Sequence, residues 1–313
     1  MTVENLLWVE AYRPRLVEDC ILPERLSGYF GGMVKQGEIQ NMSLVGGAGM
    51  GKTTVARALC EQLGWDYLLI NASEERNIDM IRTTVRQYGS TVSVFSNMKC
   101  IILDEADHLN PQSAQPALRG VIEEFAGNCR FILTANYGNR LIEPLLSRCP
   151  VVDFSVSKAE KKEMVVQFAK RMKTILKENE IEFQPDQLLE VVLKNFPDFR
   201  KTLNLLQRYS VGGRLDVSHV LSLSDEAMEK LALYLREKDF GKMRKWVVEH
   251  IDNDGAMVRR SLYDKAFDIL EPDSIPELIL LLNKYDAQEG WCADKEINTV
   301  AMMTEAMATL AFK

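Results

Sequence analysis

A short glycine-rich segment has the composition and order of a phosphate-binding loop. The segment Gly46-Gly-Ala-Gly-Met-Gly-Lys-Thr53 fits the pattern G-x-x-x-x-G-K-[ST]. In such a loop, backbone N–H groups turn toward an anion, Lys52 reaches the β- and γ-phosphates, and the Thr53 hydroxyl binds Mg²⁺. A glycine-rich turn that matches by chance is the alternative, but the strand-like run before the loop and the helical pattern after it favour nucleotide binding. The candidates are Gly46, Gly47, Ala48, Gly49, Met50, Gly51, Lys52, Thr53 and Thr54.

Polar residues follow two later apolar runs and could complete a hydrolytic site. Asp104 and Glu105 end one run, and Asn136 ends the next. Asp104 would hold Mg²⁺, with Thr53, and Glu105 would polarise the water that attacks the γ-phosphate. Asn136 would orient that water or sense the phosphate. An acidic turn after a core strand and a turn-capping asparagine are the alternatives.

These residues require a parallel sheet to bring them together. Strand-like runs alternate with helical patterns at Met42–Val45, Tyr67–Ile70, Cys100–Leu103, Phe131–Thr134 and Val151–Phe154. Such alternation predicts βαβ units, whose strands end at the same edge of one sheet. The predicted fold class is therefore α/β, with the phosphate-binding loop and the acidic residues at that edge.

Helical patterns follow the last strand. Ser157 and Glu160 predict a capping box, Pro185 opens another helix, and Gly212-Gly213 interrupts the pattern before a final helical block. We expect an α/β nucleotide-binding domain at 1–155, a small helical domain at 156–222, and an all-helical domain at 223–313. Pro116 lies inside one helical pattern, and a helix that begins after Ser113 would place it harmlessly in the first turn.

Composition limits the class of protein. The chain has 313 residues, a formal net charge of −7, six scattered cysteines and three histidines. These numbers disfavour a disulfide framework, a zinc site and a uniformly basic nucleic-acid binder. No run is apolar enough to span a membrane, and no signal peptide is visible, so we expect a cytoplasmic protein without membrane partners.

Several motifs together resemble a known family. They are Gly46–Thr54, Asp104-Glu-Ala-Asp107, Thr134-Ala-Asn136, Ser147-Arg-Cys149, Trp8–Pro14, Asn71–Arg76 and Ala117-Leu-Arg119. The set resembles AAA+ ATPases of the sliding-clamp-loader group, which are replication factor C-like. Two segments, Asp19–Pro23 and Asn195–Thr202, look most similar to the large subunit of T-even-type bacteriophage loaders, and an archaeal or eukaryotic small subunit is the near alternative. The resemblance is dense to about residue 210 and weak in the last hundred residues.

The resemblance implies roles for two arginines. Arg148 would act as an arginine finger on the γ-phosphate bound by a neighbouring subunit, and would then be catalytic together with Lys52, Glu105 and Asn136. Arg200 would act as a second sensor from the small helical domain, which serves as a lid; Lys201 is the other candidate. Solvated surface roles are the alternatives for each.

The resemblance also implies a base-binding segment near the N-terminus. In the family, this segment lies against the adenine of ATP; the corresponding residues are Val9, Glu10, Ala11, Tyr12 and Arg13, with Val17 and Ile21. Nothing in these residues themselves excludes guanine. The implied ligands are ATP and Mg²⁺.

The family's partners are a sliding clamp and primer–template DNA. Arg82 and Arg86 are one helical turn apart and, with Arg76, could follow a phosphate backbone; a solvated helix face is the alternative. The C-terminal helices would form an oligomerisation collar with identical subunits and one different loader subunit.

We therefore expect an ATPase subunit that opens a sliding clamp and places it on primed DNA during replication, in a bacterial host if a phage encodes it. Two alternatives stay open. One is another AAA+ DNA-remodelling motor of the branch-migration type, which would need insertions that these short connections lack. The other is an assembly subunit that binds nucleotide without hydrolysing it.

Overall fold

A computed structural model describes residues 7–74, 78–91, 98–216, 225–250, 255–289, 291–292 and 294–313. The described residues up to Asp216 form one compact unit, and those from residue 225 onward form a second. No helix among the described residues is both long enough and apolar enough to cross a membrane.

The first unit contains a parallel sheet, as the alternating pattern predicts. Its strands are β1 (Met42–Val45), β2 (Asp66–Asn71), β3 (Lys99–Asp104), β4 (Cys129–Ala135) and β5 (Val151–Asp153). In the described residues the sheet is five-stranded with the order β2-β3-β4-β1-β5, and every pairing is parallel. The carboxyl ends of β1, β3 and β4 therefore meet at one edge, where polar side chains can converge.

Helices connect and cover these strands. They are α1 (Trp8–Ala11), α2 (Glu24–Gln36), α3 (Lys52–Leu63), α4 (Ile78–Ser90), α5 (Ala114–Glu124), α6 (Glu143–Leu146), α7 (Lys158–Glu178), α8 (Pro185–Asn195) and α9 (Phe199–Arg208).

Each face of the sheet has its own apolar core. Ile101 and Leu103 of β3 pack with α4 and α5, whereas the alternate residues Cys100 and Ile102 pack with α2 and α3. All four side chains are fully buried. Burial on both faces explains why the central strands are continuous apolar runs.

Three predicted helix starts are confirmed, including that of α8 at Pro185. At α7, the Ser157 amide donates to Glu160 Oε2 at 2.9 Å and the Glu160 amide donates to Ser157 Oγ at 3.3 Å, which is the predicted capping box. Helix α5 begins directly after Ser113, so Pro116 lies in its first turn. There the missing proline N–H removes no helical hydrogen bond.

The described part of the second unit is helical. Its helices are α10 (Asp225–Arg236), α11 (Phe240–His250), α12 (Gly255–Asp264), α13 (Ala266–Ile269), α14 (Ile275–Glu289) and α15 (Lys295–Thr309). Met228, Leu231, Trp246, Leu278 and Met303 belong to its separate apolar core. This unit therefore has enough buried apolar surface to hold its helices together.

Candidate nucleotide-binding and hydrolysis site

The glycine-rich loop joins β1 to α3 through two glycines in the left-handed region. Gly49 has φ +71° and Gly51 has φ +86°, conformations that side chains disfavour. A Cβ atom at Gly49 would also lie 1.8 Å from Asp198 Oδ1. Because Gly51 is the N-cap of α3, the loop ends at the N-terminus of a helix, whose free N–H groups favour an anion.

Lys52 lies at the centre of the site. Its ammonium donates to the carbonyl oxygens of Gly46 and Gly47 at 2.7 Å each, and to Asn136 Oδ1 at 2.9 Å. Burial lowers the pKa of Lys52, and the carboxylates of Asp104 and Asp107 oppose that shift. The side-chain nitrogen of Lys52 thus lies between the phosphate loop and the end of β4.

Thr53 and Asp104 form the second contact. The Thr53 hydroxyl donates to Asp104 Oδ1 at 2.6 Å, across the gap between α3 and β3. A hydroxyl and a carboxylate are the hard oxygen ligands that Mg²⁺ takes alongside phosphates and water. Among the described residues no cluster of three His, Cys, Asp or Glu forms a metal cage. The oxygens of Thr53 and Asp104 suit a metal ion that a nucleotide's phosphates also coordinate.

Glu105 and Asn136 lie beside these groups. Glu105 directly follows β3 and has φ +56°, a left-handed conformation that is uncommon outside glycine. Asn136 follows β4, and its backbone N–H donates to Asp107 Oδ2 at 3.2 Å. The predicted water-activating acid and the predicted sensor are therefore on adjacent turns at the same sheet edge.

A cavity of about 350 Å³ opens at this edge, within the size range of small-molecule sites. The predicted residues that line it are Val9, Tyr12, Arg13, Ile21, Ala48, Gly49, Met50, Gly51, Lys52, Thr53, Thr54, Asp104, Glu105, Asn136 and Arg200. Residues that lie up to about 190 positions apart in the chain thus surround one space.

Other predicted residues lie outside the lining of this cavity. Val17 is only 4% exposed, and its side chain packs in the core beside α2 and α3. Glu10 and Ala11 are exposed, and a hydrogen bond from Arg13 holds the pKa of Glu10 below its usual range. Gly46 and Gly47 instead contribute the carbonyl oxygens that accept from Lys52.

Several residues line the cavity although no sequence motif assigned them a role there. Phe168, Met172 and Ile175 of α7 face it, and helical spacing by itself marks them only as one apolar side of a helix. Asn71, at the end of β2, and Thr134, in β4, also line the cavity and had no assigned role.

The helical lid touches the phosphate loop directly. The Phe199 amide donates to the Gly49 carbonyl at 3.1 Å, and Asp198 caps α9 by accepting from the Lys201 amide at 2.9 Å. Arg200, the second residue of α9, is exposed to solvent and lines the cavity. This placement suits a sensor that is carried by the lid.

Arg148 lies outside the lining of its own chain's cavity. Its Nε donates to Glu123 Oε1 at 2.6 Å and its Nη1 donates to the Pro144 carbonyl at 2.9 Å. The hydrogen bond from Arg148 holds the pKa of Glu123 below its usual range. Arg119 Nε lies 3.6 Å from the same carboxylate oxygen. Arg148 and Arg119 therefore both pair with the carboxylate of Glu123, at the C-terminal end of α5.

The three arginines predicted to contact DNA fall in different settings. Arg76 lies outside the described residues. Arg82 is partly exposed on α4 and has interactions of its own. Arg86, one turn later, pairs with Glu124 of α5 at 3.0 Å. That ion pair offsets part of the positive charge of this helix face.

The fold and the site define a class. A phosphate loop, an acidic strand end and an asparagine strand end meet at one edge of a parallel sheet under a helical lid, which is the arrangement of an AAA+ ATPase. The family model described as "ATPase family associated with various cellular activities (AAA)" matches residues 42–155. A second model, described as the lid domain of the sliding-clamp-loader large subunit, matches residues 160–222.

Two phage proteins are similar to this chain over nearly its whole length. The sliding-clamp-loader large subunit of Enterobacteria phage T4 is 29% identical over 309 residues, covering 97% of this chain and 96% of that protein. The same subunit of Escherichia phage RB69 is 30% identical, with the same coverage. The replication factor C small subunit of Haloarcula marismortui is 36% identical over 71% of this chain and 68% of its own length. The chain belongs to the AAA+ sliding-clamp-loader family, and it is a nucleotide-binding ATPase of that kind, as the motifs predicted.

Proposed function

We propose that this chain uses ATP to open a sliding clamp and to place it on primed DNA during replication. The observation that carries the proposal is the paired contact at the sheet edge. Lys52 reaches Asn136 at 2.9 Å, and Thr53 reaches Asp104 at 2.6 Å, inside a cavity that the lid contacts. The names of the similar proteins supply the clamp and the replication context.

The residues present suit ATP with Mg²⁺. Lys52 and the N-terminus of α3 would bind the β- and γ-phosphates, while Thr53 and Asp104 would hold the metal. Bound Mg²⁺ would neutralise charge on the phosphate oxygens. Tyr12 and Ile21, which line the cavity, would pack against the base.

Hydrolysis would use groups from two chains. Glu105 would orient a water and accept its proton, with Asn136 fixing the water's position. Arg148 would supply positive charge to the site of a neighbouring subunit. Its pairing with Glu123, outside its own cavity, is consistent with action on another chain.

The partners follow from the same proposal. They are a sliding clamp, primer–template DNA, identical subunits and one different loader subunit, working in the cytoplasm, which is that of a bacterial host if a phage encodes the chain. Arg82 and Arg86, with Arg76, would contact DNA phosphates, which gives affinity without sequence specificity. The helices of the second unit would form the oligomerisation collar.

Stimulation of hydrolysis tests this proposal. We expect primed DNA and the cognate clamp together to raise the ATPase rate by about tenfold or more, because assembly completes the arginine-finger sites. The rate is measured by phosphate release with each component alone and with both. A Lys52→Ala chain, prepared identically, controls for contaminating ATPases. An unchanged rate with both components would contradict the proposal.

A further inference from the structure

One buried hydroxyl contacts both acidic residues of the site. Thr134 lies in β4 and is 2% exposed. Its Oγ1 donates to Asp104 Oδ1, and the same oxygen accepts from the Glu105 amide at 3.0 Å. Asp104 is the proposed metal ligand and Glu105 the proposed proton acceptor. A single side chain on the neighbouring strand therefore fixes two consecutive functional residues.

The hydrogen bond to Thr134 satisfies the backbone N–H of Glu105, which lies beyond the end of the β3–β4 pairing. The paired register of β3 with β4 runs to Leu103 opposite Leu133, so Glu105 lies beyond it. Its φ of +56° turns the chain away from the strand direction. Without the Thr134 oxygen, this N–H would lose its partner at the point where the backbone is strained.

The Thr134 hydroxyl makes its two hydrogen bonds in complementary roles, one as a donor and one as an acceptor. A hydroxyl has one proton, and here that proton points to Asp104. A lone pair therefore remains to accept from the Glu105 amide. Valine has the same shape but can make neither contact, whereas serine can make both. The two replacements separate the hydroxyl from the packing of the side chain.

Asp107 makes a second contact, which runs from the turn after β3 to the turn after β4. Asp107, which follows β3, is 5% exposed, and its Oδ2 accepts from the amides of Asn136 and Tyr137 at 3.2 and 3.1 Å. Thr134 thus reaches from β4 to the acids, and Asp107 reaches back to the asparagine turn. The crossed contacts hold Glu105 and Asn136 as one unit.

We propose that Thr134 is a positioning residue for hydrolysis: its hydroxyl sets the backbone of Glu105 and the carboxylate of Asp104 so that both acids face the bound phosphates. The inference rests on the proposed catalytic role of Glu105. It adds that this role depends on a hydroxyl in β4 that hydrogen-bonds both acidic residues.

Three variants test the inference. In Thr134→Val we expect hydrolysis to fall by about 10- to 100-fold, the usual cost of losing a group that orients a catalytic ligand. The nucleotide Kd should change by less than about threefold, because Lys52 and the loop are untouched. Thr134→Ser should restore most of the rate. Thr134→Cys, which has only a weak donor, should stay low and replaces the valine variant if that chain does not fold.

A matched control and a second readout complete the design. Ser43 in β1 is also fully buried, and its hydroxyl donates to the Cys149 carbonyl at 2.9 Å. Ser43→Ala should keep the wild-type rate although it loses a buried hydrogen bond in the same sheet. In the nucleotide-free chain, hydrogen exchange of the Glu105 amide should accelerate at least about tenfold in Thr134→Val and stay slow in Thr134→Ser.

Each outcome bears on the inference. Hydrolysis by Thr134→Val within threefold of wild type, equal losses in the serine and valine variants, or a Kd weakened by the same factor as the rate would each overturn it. All rates are compared with and without DNA and clamp. If DNA and clamp do not raise the hydrolysis rate of the wild-type chain, the clamp-loading proposal is contradicted. The basal rates of the Thr134 variants would still test the role of Thr134.

Discussion

Glu105 is the residue on which the proposed chemistry depends most directly. It lines the cavity next to the Asp104–Thr53 contact, and its backbone conformation is one that few non-glycine residues adopt. Strained conformations persist where surrounding contacts hold them, and they are common at active sites. Here the holding contact is the Thr134 oxygen, 3.0 Å from the Glu105 amide.

Glu105→Gln should separate binding from hydrolysis. The amide keeps the size of the side chain but cannot accept a proton, so the rate should fall by about 10²- to 10³-fold. Nucleotide affinity should stay within about threefold, since Lys52 and Thr53 make the phosphate and metal contacts. Single-turnover hydrolysis and equilibrium nucleotide binding measure the two effects. A variant that retains more than a tenth of the wild-type rate would remove Glu105 from its proposed role.

At the scale of elements, the contact between the phosphate loop and α9 joins the lid to the nucleotide site. The Phe199 amide donates to the Gly49 carbonyl at 3.1 Å, and the carboxylate of Asp198 occupies the space that a side chain at Gly49 would need. Arg200 follows in the first turn of the same helix. The glycine therefore serves both the turn of the loop and the seating of the lid.

Gly49→Ala and Gly51→Ala form a matched pair that tests this contact. Both residues have positive φ, so each substitution should cost about 1 kcal/mol of backbone strain. A Cβ at Gly51 meets nothing within 4 Å, whereas one at Gly49 meets Asp198. Gly49→Ala should therefore lose about 1 kcal/mol more, as Asp198 gives up its cap.

Thermal unfolding of the nucleotide-free chains measures the difference between the two variants. Adding Asp198→Gly to Gly49→Ala removes the colliding carboxylate, so the double variant should lose less stability than the sum of the single changes. Strict additivity would show that the two residues do not interact.

The strands were predictable because burial on both faces leaves a continuous apolar run, as in Cys100–Leu103. The ends of β2, β3 and β4 were not, since each strand extends beyond its predicted run, whereas β1 has the predicted bounds. Lys99 begins β3 although it is charged, because it is buried with its ammonium donating to the Tyr88 carbonyl at 2.9 Å. That partner belongs to the end of α4, which local sequence patterns do not connect to β3.

The site was predictable where its chemistry is local in sequence. The loop and the acidic pair each occupy a few consecutive residues with a defined spacing. The supporting contacts join distant residues: Thr134 lies 30 positions from Asp104, and Asn179, which donates to the Tyr12 hydroxyl, lies 167 positions away. Only the folded chain brings such pairs together. It also shows that Val17, which the resemblance assigns to the base-binding segment, lies in the core beside α2 and α3.

At the scale of the whole molecule, three of the residues proposed for hydrolysis line one cavity, and the proposed arginine finger lies outside it. Lys52, Glu105 and Asn136 line the cavity, whereas Arg148 pairs with Glu123. The side chain of Arg148 is 28% exposed, so it is accessible to another protein. If Arg148 completes a neighbour's site, full hydrolysis requires assembly of several subunits.

Mixing inactive chains tests whether Arg148 acts between subunits. Arg148→Ala leaves the phosphate loop intact, and Lys52→Ala leaves the arginine intact, so each alone should lose about 10³-fold or more in rate. In an equal mixture, about a quarter of head-to-tail interfaces pair an intact Lys52 with an intact Arg148. Activity should therefore return to a measurable fraction of the wild-type rate. An arginine that acts within its own chain predicts no recovery, since every chain then has a defective site.

The matched control mixes Arg148→Ala with the double variant Lys52→Ala/Arg148→Ala. These mixtures form the same assemblies, but no interface contains an intact arginine, so no recovery is expected. Arg148→Lys adds a graded test, because lysine keeps the charge but lacks the planar, forked donors of the guanidinium. Recovery in the control mixture would mean that Arg148 is dispensable for hydrolysis. Recovery confined to the first mixture would place the arginine opposite another chain's Lys52.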